Sequence, residues 1–160
     1  MFMKKKEVIL IIHNVRSAYN VGSIFRTAET AGINEIYLTG YTPAPVDKFG
    51  RGRKDIAKVS LGAEKIIPWK KFSKIREVLI KFKKENYFIV AIEQSKNSFD
   101  YKKVKPRQKT VFIVGNEIKG LDQKILNKCE VIAEIPMKGK KESLNVAVSV
   151  GIALFRILKI

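Results

Sequence analysis

One cysteine (Cys129), one histidine (His13) and one tryptophan are all that 160 residues contain of these types. A lone cysteine excludes an internal disulfide and a cysteine-based metal cluster, and it fits a reducing cytoplasm. No metal is therefore expected. A Ser-His-Asp triad would have to use His13, and no nucleophile elbow surrounds it, so His13 reads as structural. The Gly-x-x-x-x-Gly-Lys-Ser/Thr loop that cradles triphosphates is absent, as is a Gly-x-Gly-x-x-Gly turn after the first strand. Long apolar runs are missing too. Residues 8–12 stop at His13 and Asn14, too short for a signal-peptide core. Residues 144–158 are short for a membrane span and are interrupted by Asn145, Ser149 and Arg156, so no membrane association is expected. Acid is scarce as well: 15 Asp and Glu stand against 32 Lys and Arg, for a net charge of +17. Such an excess points to a polyanionic partner, nucleic acid first, against the plainer alternative of a lysine-rich background.

What is present is globular. The chain is 46% hydrophobic and 9% aromatic, long enough for a real core, and residues 1–160 are expected to form one domain. No repeat or low-complexity linker divides it. Apolar runs at 8–12, 35–39, 65–69, 87–92, 110–115 and 131–135 read as strands. Helical spacing is expected over 20–31, 72–84, 121–128 and 144–158. The alternation predicts an α/β fold, a mostly parallel sheet with helices on both faces.

Polar residues collect where these strands end, which is where open α/β sheets place ligands. After the first strand, Asn20 is a suitable helix cap. Arg26 follows on a stripe with Ser23, Thr27 and Thr30, against an apolar face of Val21, Ile24, Phe25, Ala28 and Ala31. After the strand 110–115, Gly115 and Gly120 let backbone approach a ligand or adopt positive φ, and Glu117 lies between them. After the last strand, Ser143 is positioned to cap the final helix, and Asn145 follows. Each residue alone is also read as a cap, a solvated side chain or an ordinary turn. The segment 43–58 mixes Pro43, Pro45, Gly50 and Gly52 with Lys48, Arg51, Arg53, Lys54 and Lys58, a composition suited to phosphate contacts. The helix 144–158 carries two apolar stripes, one through Leu144, Ala147, Val148, Gly151, Phe155 and Leu158, the other through Val146, Val150, Ala153 and Ile157. So broad a surface needs covering on two sides: the sheet is one cover, and the other is a partner subunit or, less easily arranged in 160 residues, the rest of a monomer around a deep central helix.

Three segments together resemble the SpoU/TrmH group of the SPOUT superfamily, knotted RNA 2′-O-ribose methyltransferases: NVRSAYNVGSIFRT (14–27), VFIVGNEIKGL (111–121) and IPMKGKKESLNVAVS (135–149). The match spans nearly the whole chain. The resemblance implies the SPOUT methyltransferase fold with a deep C-terminal trefoil knot, an S-adenosyl-L-methionine cofactor held there, and a homodimer. It carries catalytic roles to Asn20, Arg26, Glu117, Ser143 and Asn145, all of which match the family pattern. It carries cofactor contacts to Ile92, Gly115, Ile135 and Ser143, with Glu117, Gly120, Met137, Gly139 and Leu144 nearby. It implies an RNA substrate, tRNA before rRNA. Arg26 is the family's favoured proton acceptor, yet arginine stays protonated in proteins, so a phosphate-holding role stands beside it. Only about seven residues precede the first strand, so no separate RNA-binding domain is expected and the catalytic surface itself must meet RNA, through Arg16, Lys48, Arg51, Arg53, Lys54 and Lys140. The alternative is a non-catalytic RNA-binding protein on the same fold.

Overall fold

A computed structural model describes residues 5–160. The chain runs β1 (Glu7–His13), α1 (Ala18–Thr30), β2 (Glu35–Thr39), α2 (Lys54–Ser60), α3 (Ala63–Ile66), β3 (Trp69–Phe72) and α4 (Ile75–Lys84). It continues through β4 (Phe88–Ile92), β5 (Phe99–Asp100), a 3-10 turn (Tyr101–Lys103), β6 (Lys109–Val114), α5 (Gln123–Leu126), β7 (Val131–Glu134) and α6 (Val146–Leu158). The strands form one sheet in the order β3-β2-β1-β6-β4-β7-β5. Every neighbouring pair is parallel, with Ile12 beside Val114 and Val90 beside Phe112. The expected α/β fold is therefore observed.

A strand's side chains alternate between its two faces, and the two halves of the core follow that parity. Leu10, Ile12, Ile36, Leu38, Val90, Phe112 and Val114 pack on one face with Val21, Ile24 and Phe25 of α1, Ile56 of α2 and Val150, Ala153, Leu154 and Ile157 of α6. Ile9, Ile11, Tyr37, Ile89, Val111 and Ile113 pack on the other with Val78, Leu79 and Phe82 of α4 and Ile125 and Leu126 of α5. Helices on both faces leave the central strands apolar throughout, which is why they read as unbroken hydrophobic runs.

Several boundaries differ from the sequence expectation. Helix α1 begins before Asn20: Ser17, in extended conformation, accepts the Asn20 N–H on its Oγ at 3.1 Å. The serine takes the capping role, and the Asn20 side chain is released for other bonds. At the last helix the reverse holds. Ser143 is not the cap; Asn145 Oδ1 accepts the N–H groups of Ala147 at 2.8 Å and Val148 at 3.3 Å. The apolar run 65–69 is not a strand. Gly62, at φ 91°, starts the short helix α3, and the edge strand moves to Trp69–Phe72. Phe72 ends that strand, so α4 starts at Ile75. The second half of the basic segment forms α2, and β5 with its 3-10 turn had no periodic signal at all.

The two stripes of α6 separate except at Ala147, which belongs to the first stripe but is buried. Val150, Ala153 and Ile157 are buried with Ala147 and Leu154, whereas Leu144, Val148 and Phe155 are exposed at 37%, 49% and 36%. A Cβ on Gly151 would meet Thr27 of α1 at 3.6 Å, so these two helices lie side by side.

Candidate active site

The segments leaving β4, β6 and β7 converge at the carboxyl edge of the sheet. They enclose a cleft of about 280 Å³ lined by Ile92, Glu93, Gln94, residues 114–120, Ile135, Met137, residues 142–144, Val146 and Ser149. The Gly115–Gly120 turn is drawn tight. Asn116 and Gly120 form an antiparallel bridge, and a Cβ on Gly115 would stand 2.7 Å from the Gly120 carbonyl. Gly120 has φ 64°, and a Cβ there would collide with the Glu93 carboxylate. That carboxylate accepts the Leu121 N–H at 3.0 Å and the Gln94 N–H at 2.8 Å. The Gln94 amide in turn donates to the Glu142 carbonyl at 2.6 Å, tying the end of β4 to the loop after β7.

A polar relay borders this cleft. Glu117 accepts the Ser17 N–H at 3.0 Å, the Arg16 N–H at 3.2 Å and Asn20 Nδ2 at 3.2 Å. The Asn20 Oδ1 accepts Asn145 Nδ2 at 3.0 Å, and Asn145 Oδ1 caps α6. Partial burial pushes the Glu117 carboxyl up. The hydrogen bonds from Ser17, its own N–H, Arg16 and Asn20 outweigh that and hold it below the usual glutamate value. Three residues distant in sequence thus form one chain of bonds from the loop after β6, across α1, to the start of α6. Asn20 is buried at 6% exposure, and leaving its amide unpaired would cost about 1–3 kcal/mol.

The remaining expected residues divide. Ile92, Gly115, Glu117, Gly120, Ile135, Met137, Ser143 and Leu144 all line the cleft, whereas Gly139 does not. Ser143 is exposed and stands outside the relay. Arg26 is exposed on α1, and its guanidinium makes no hydrogen bond or ion pair among the described residues. Of the expected RNA contacts, Arg16 and Arg53 line a second, shallower groove with Tyr41 and Pro43. Arg51 pairs with Asp47 at 2.8 Å and Arg53 with Asp55 at 2.6 Å, so part of this loop's charge is already answered. Lys48 and Lys54 are exposed beside them, and Lys140 lies apart in the segment before Ser143. His13 is structural as expected: Nδ1 meets Thr39 Oγ1 at 2.9 Å and Nε2 meets Asn14 Nδ2 at 3.2 Å. Burial, partly countered by Asp122, holds its pKa below the ordinary value.

Sequence reasoning passed over Glu93, Gln94 and Asn116. The Asn116 Nδ2 donates to the Asn14 carbonyl and to the Tyr41 hydroxyl, both at 3.0 Å, while its Oδ1 accepts the Ile118 and Lys119 N–H groups. Its place inside the Gly-Asn-Glu segment was the available signal. Glu93 and Gln94 had only their position directly after a buried strand.

The parallel sheet and the cleft at its carboxyl edge define an α/β ligand-binding domain. Known proteins narrow this class. The model of the SpoU rRNA Methylase family matches residues 7–155. A tRNA (guanosine(18)-2′-O)-methyltransferase from Aquifex aeolicus is 31% identical over 152 residues, covering 95% of this chain and 69% of the relative. The 23S rRNA (guanosine-2′-O-)-methyltransferase RlmB of Pseudomonas aeruginosa is 30% identical over 154 residues, covering 95% of this chain and 58% of the relative. The AdoMet-bound crystal structure of an rRNA methyltransferase from Sinorhizobium meliloti superposes with a TM-score of 0.85 at 27% identity, covering 99% of this chain and 58% of that one. This chain belongs to the SpoU methylase family. It spans about three-fifths to two-thirds of the length of these relatives.

Proposed function

We propose that the chain transfers a methyl group from S-adenosyl-L-methionine to a ribose 2′-hydroxyl of RNA, tRNA before rRNA. The observation that carries this reading is the Glu117–Asn20–Asn145 relay at the edge of the cleft, in a chain of this family.

The cleft suits the cofactor in two respects. Backbone at Ile92, Gly115 and Ile135, with the apolar side chains of Met137 and Leu144, offers neutral edges and surfaces for an adenosine. Its charged lining is Glu93, Glu117 and Glu142 against Lys119 alone, an acidic patch on a chain of net charge +17. A ligand with a sulfonium and an ammonium against one carboxylate is net cationic, and such a lining favours it. When bound, the cofactor supplies an activated methyl group. The protein's task is then to align the ribose oxygen and handle its proton.

Asn20 and Asn145 hold one another and Glu117 in fixed orientation, so the loop after β6 and the start of α6 present a rigid wall to the incoming nucleotide. Ser143, exposed at the cleft, is placed to contact the ribose. Arg26 holds the adjoining phosphate, as a permanently charged side chain suits, and its charge favours loss of the hydroxyl proton. Arg26 stands on α1 next to Thr27, which meets Gly151 of α6. It therefore borders the uncovered apolar face of α6. We propose that a second copy covers this face, giving a homodimer whose two clefts lie near the interface. The trefoil knot belongs to the same proposal. The Gln94–Glu142 and Asn20–Asn145 bonds, which pin the segment after β7 against neighbouring loops, support it. We also propose that residues 1–160 belong to a single catalytic domain, a reading that the one continuous sheet of the described residues supports. Among the described residues no helix is long and apolar enough to cross a membrane, and we propose a cytoplasmic location on the basis of the RNA substrate. The order of tRNA before rRNA rests on the short length of the chain; among the relatives, one is named for tRNA and another for 23S rRNA.

The test is transfer of labelled methyl from S-adenosyl-L-methionine to unmodified tRNA and rRNA, assayed separately, with Asn145→Ala as control. Label in one RNA fraction, lost in the control, is expected. Cofactor binding without transfer to any RNA, or neither binding nor transfer, would overturn the assignment.

A further inference from the structure

Beyond the cleft and the α6 face, one exposed feature is built too deliberately to be an ordinary loop. Residues 45–53 form a closed hairpin. Val46 and Gly52 bridge in antiparallel fashion, the Asp47 N–H donates to the Arg51 carbonyl at 2.8 Å, and the Arg53 N–H donates to the Pro45 carbonyl at 2.8 Å. The Asp47 carboxylate organises the tip, accepting the Phe49 N–H at 2.8 Å, the Arg51 N–H at 3.0 Å and Arg51 Nε at 2.8 Å. This framework presents Phe49, at 69% exposure, to solvent. Lys48 Nζ and the Arg51 guanidinium carbon each lie 5.0 Å from its ring centre. The other rings with cations over them, Tyr37, Phe82, Tyr87 and Phe88, are buried. Other exposed apolar side chains, such as Leu61, Ile66 and Ile80, carry no such arrangement.

Position adds to this. Arg53, at the foot of the hairpin, shares its groove with Arg16 and Tyr41. Arg16 donates its N–H to Glu117, and the Tyr41 hydroxyl accepts from Asn116. Basic and aromatic side chains therefore lie between the cleft and the foot of the hairpin. We propose that this hairpin is a stacking clamp for single-stranded RNA flanking the target nucleotide, with Phe49 taking a base. The inference rests on the methyltransferase reading and extends it to the substrate's flank. An aromatic face accepts any base, because every base has a π-face, and cations beside it meet the backbone. Arg51 is anchored by Asp47, whereas Lys48 forms no ion pair among the described residues. A stacking base displaces Lys48 from the ring and leaves its ammonium for a phosphate.

The experiment measures affinity for an unstructured oligouridylate of about 12 nucleotides and for unmodified tRNA, as a function of salt. Phe49→Ala is expected to weaken oligouridylate binding by about 5- to 150-fold with an unchanged salt slope. Lys48→Ala is expected to reduce the slope by about 0.7. Phe49→Trp should keep the affinity, and its fluorescence should be quenched by RNA beyond the Trp69 background of the unsubstituted protein. Ile80→Ala, exposed on the opposite face of the sheet, should bind as the unsubstituted protein does. Unaltered affinity in Phe49→Ala, or an unquenched Phe49→Trp, overturns the clamp. So does a Phe49→Ala protein that binds RNA normally but changes its sedimenting mass, which would make the tip a subunit contact. RNA binding that depends on Phe49 without methyl transfer supports the clamp while removing the enzymatic assignment. No RNA binding by the unsubstituted protein overturns both.

Discussion

Replacing Asn145 by alanine probes the relay most directly. The side chain does two separable jobs: its oxygen caps α6 through the Ala147 and Val148 N–H groups, and its nitrogen donates to Asn20 Oδ1 at 3.0 Å. Loss of an N-cap costs about 1 kcal/mol. Loss of the donor to a buried amide oxygen costs about 1–3 kcal/mol. Asn145 is itself exposed, so the lower part of that second range applies, and the sum is about 2–3 kcal/mol. At about 2–4 °C per kcal/mol for a chain of this size, Asn145→Ala should unfold about 4–12 °C earlier in a thermal melt followed by circular dichroism. Asn145→Ser retains a capping oxygen but has too short a side chain to reach Asn20, and should lose about half as much. A double-mutant cycle with Asn20→Ala should show coupling, because the two side chains share one bond. If Asn145→Ala melts within a degree of the unsubstituted protein, or if Asn145→Ser is as damaged as Asn145→Ala, the division of labour argued here is wrong.

Glu117 has a folded-state pKa below its ordinary value of 4.5. Its contribution to stability is present above pH 4.5 and disappears as pH falls through the lower folded value. The stability gap between the unsubstituted protein and Glu117→Gln, read from urea melts, should therefore shrink as pH is lowered from neutrality through 4.5; a gap independent of pH would refute it. Gly120→Ala forces φ 64° on a residue with a Cβ and drives it into the Glu93 carboxylate. It should cost at least about 1–2 kcal/mol and weaken S-adenosyl-L-methionine binding in calorimetry, and normal affinity would show that the turn yields without harm. Val148→Glu places a charge on the exposed face of α6, where Val148 is 49% accessible. If the proposed homodimer forms through this face, the substitution should halve the sedimenting mass while leaving the fold intact, and an unchanged mass would refute this face as the subunit contact. Arg26→Ala should abolish methyl transfer while cofactor affinity stays within about twofold, since its guanidinium touches nothing in the cleft; parallel loss of both would remove its catalytic role.

Much of this architecture is visible in one dimension because its cause is local. Residues 111–114 are apolar on every position since a central parallel strand is covered on both faces. The alternation of such runs with amphipathic segments is enough to predict the sheet and its two helical layers. The Gly-Asn-Glu turn after that strand, and the Ser and Asn before the last helix, announce themselves by residue types suited to tight turns and caps. Where two neighbouring residues have equivalent local chemistry, local reasoning fails. Ser17 and Asn20 both qualify as caps, and so do Ser143 and Asn145. The choice is made by a bond across 125 positions, in which the Asn145 amide needs the Asn20 oxygen. The run 65–69 fails for a related reason: Gly62 adopts a backbone available in either reading, and only pairing against β2 places the edge strand at Trp69–Phe72. Composition, periodicity and turn chemistry determined the fold class, the helical faces and the segments that carry the site. The tertiary structure alone decided which polar residues bond to one another, that Glu93, Glu117 and Glu142 meet in one cleft of a basic protein, and which side of α6 is left exposed. Those outcomes depend on contacts between segments far apart in the chain, and no local propensity encodes them.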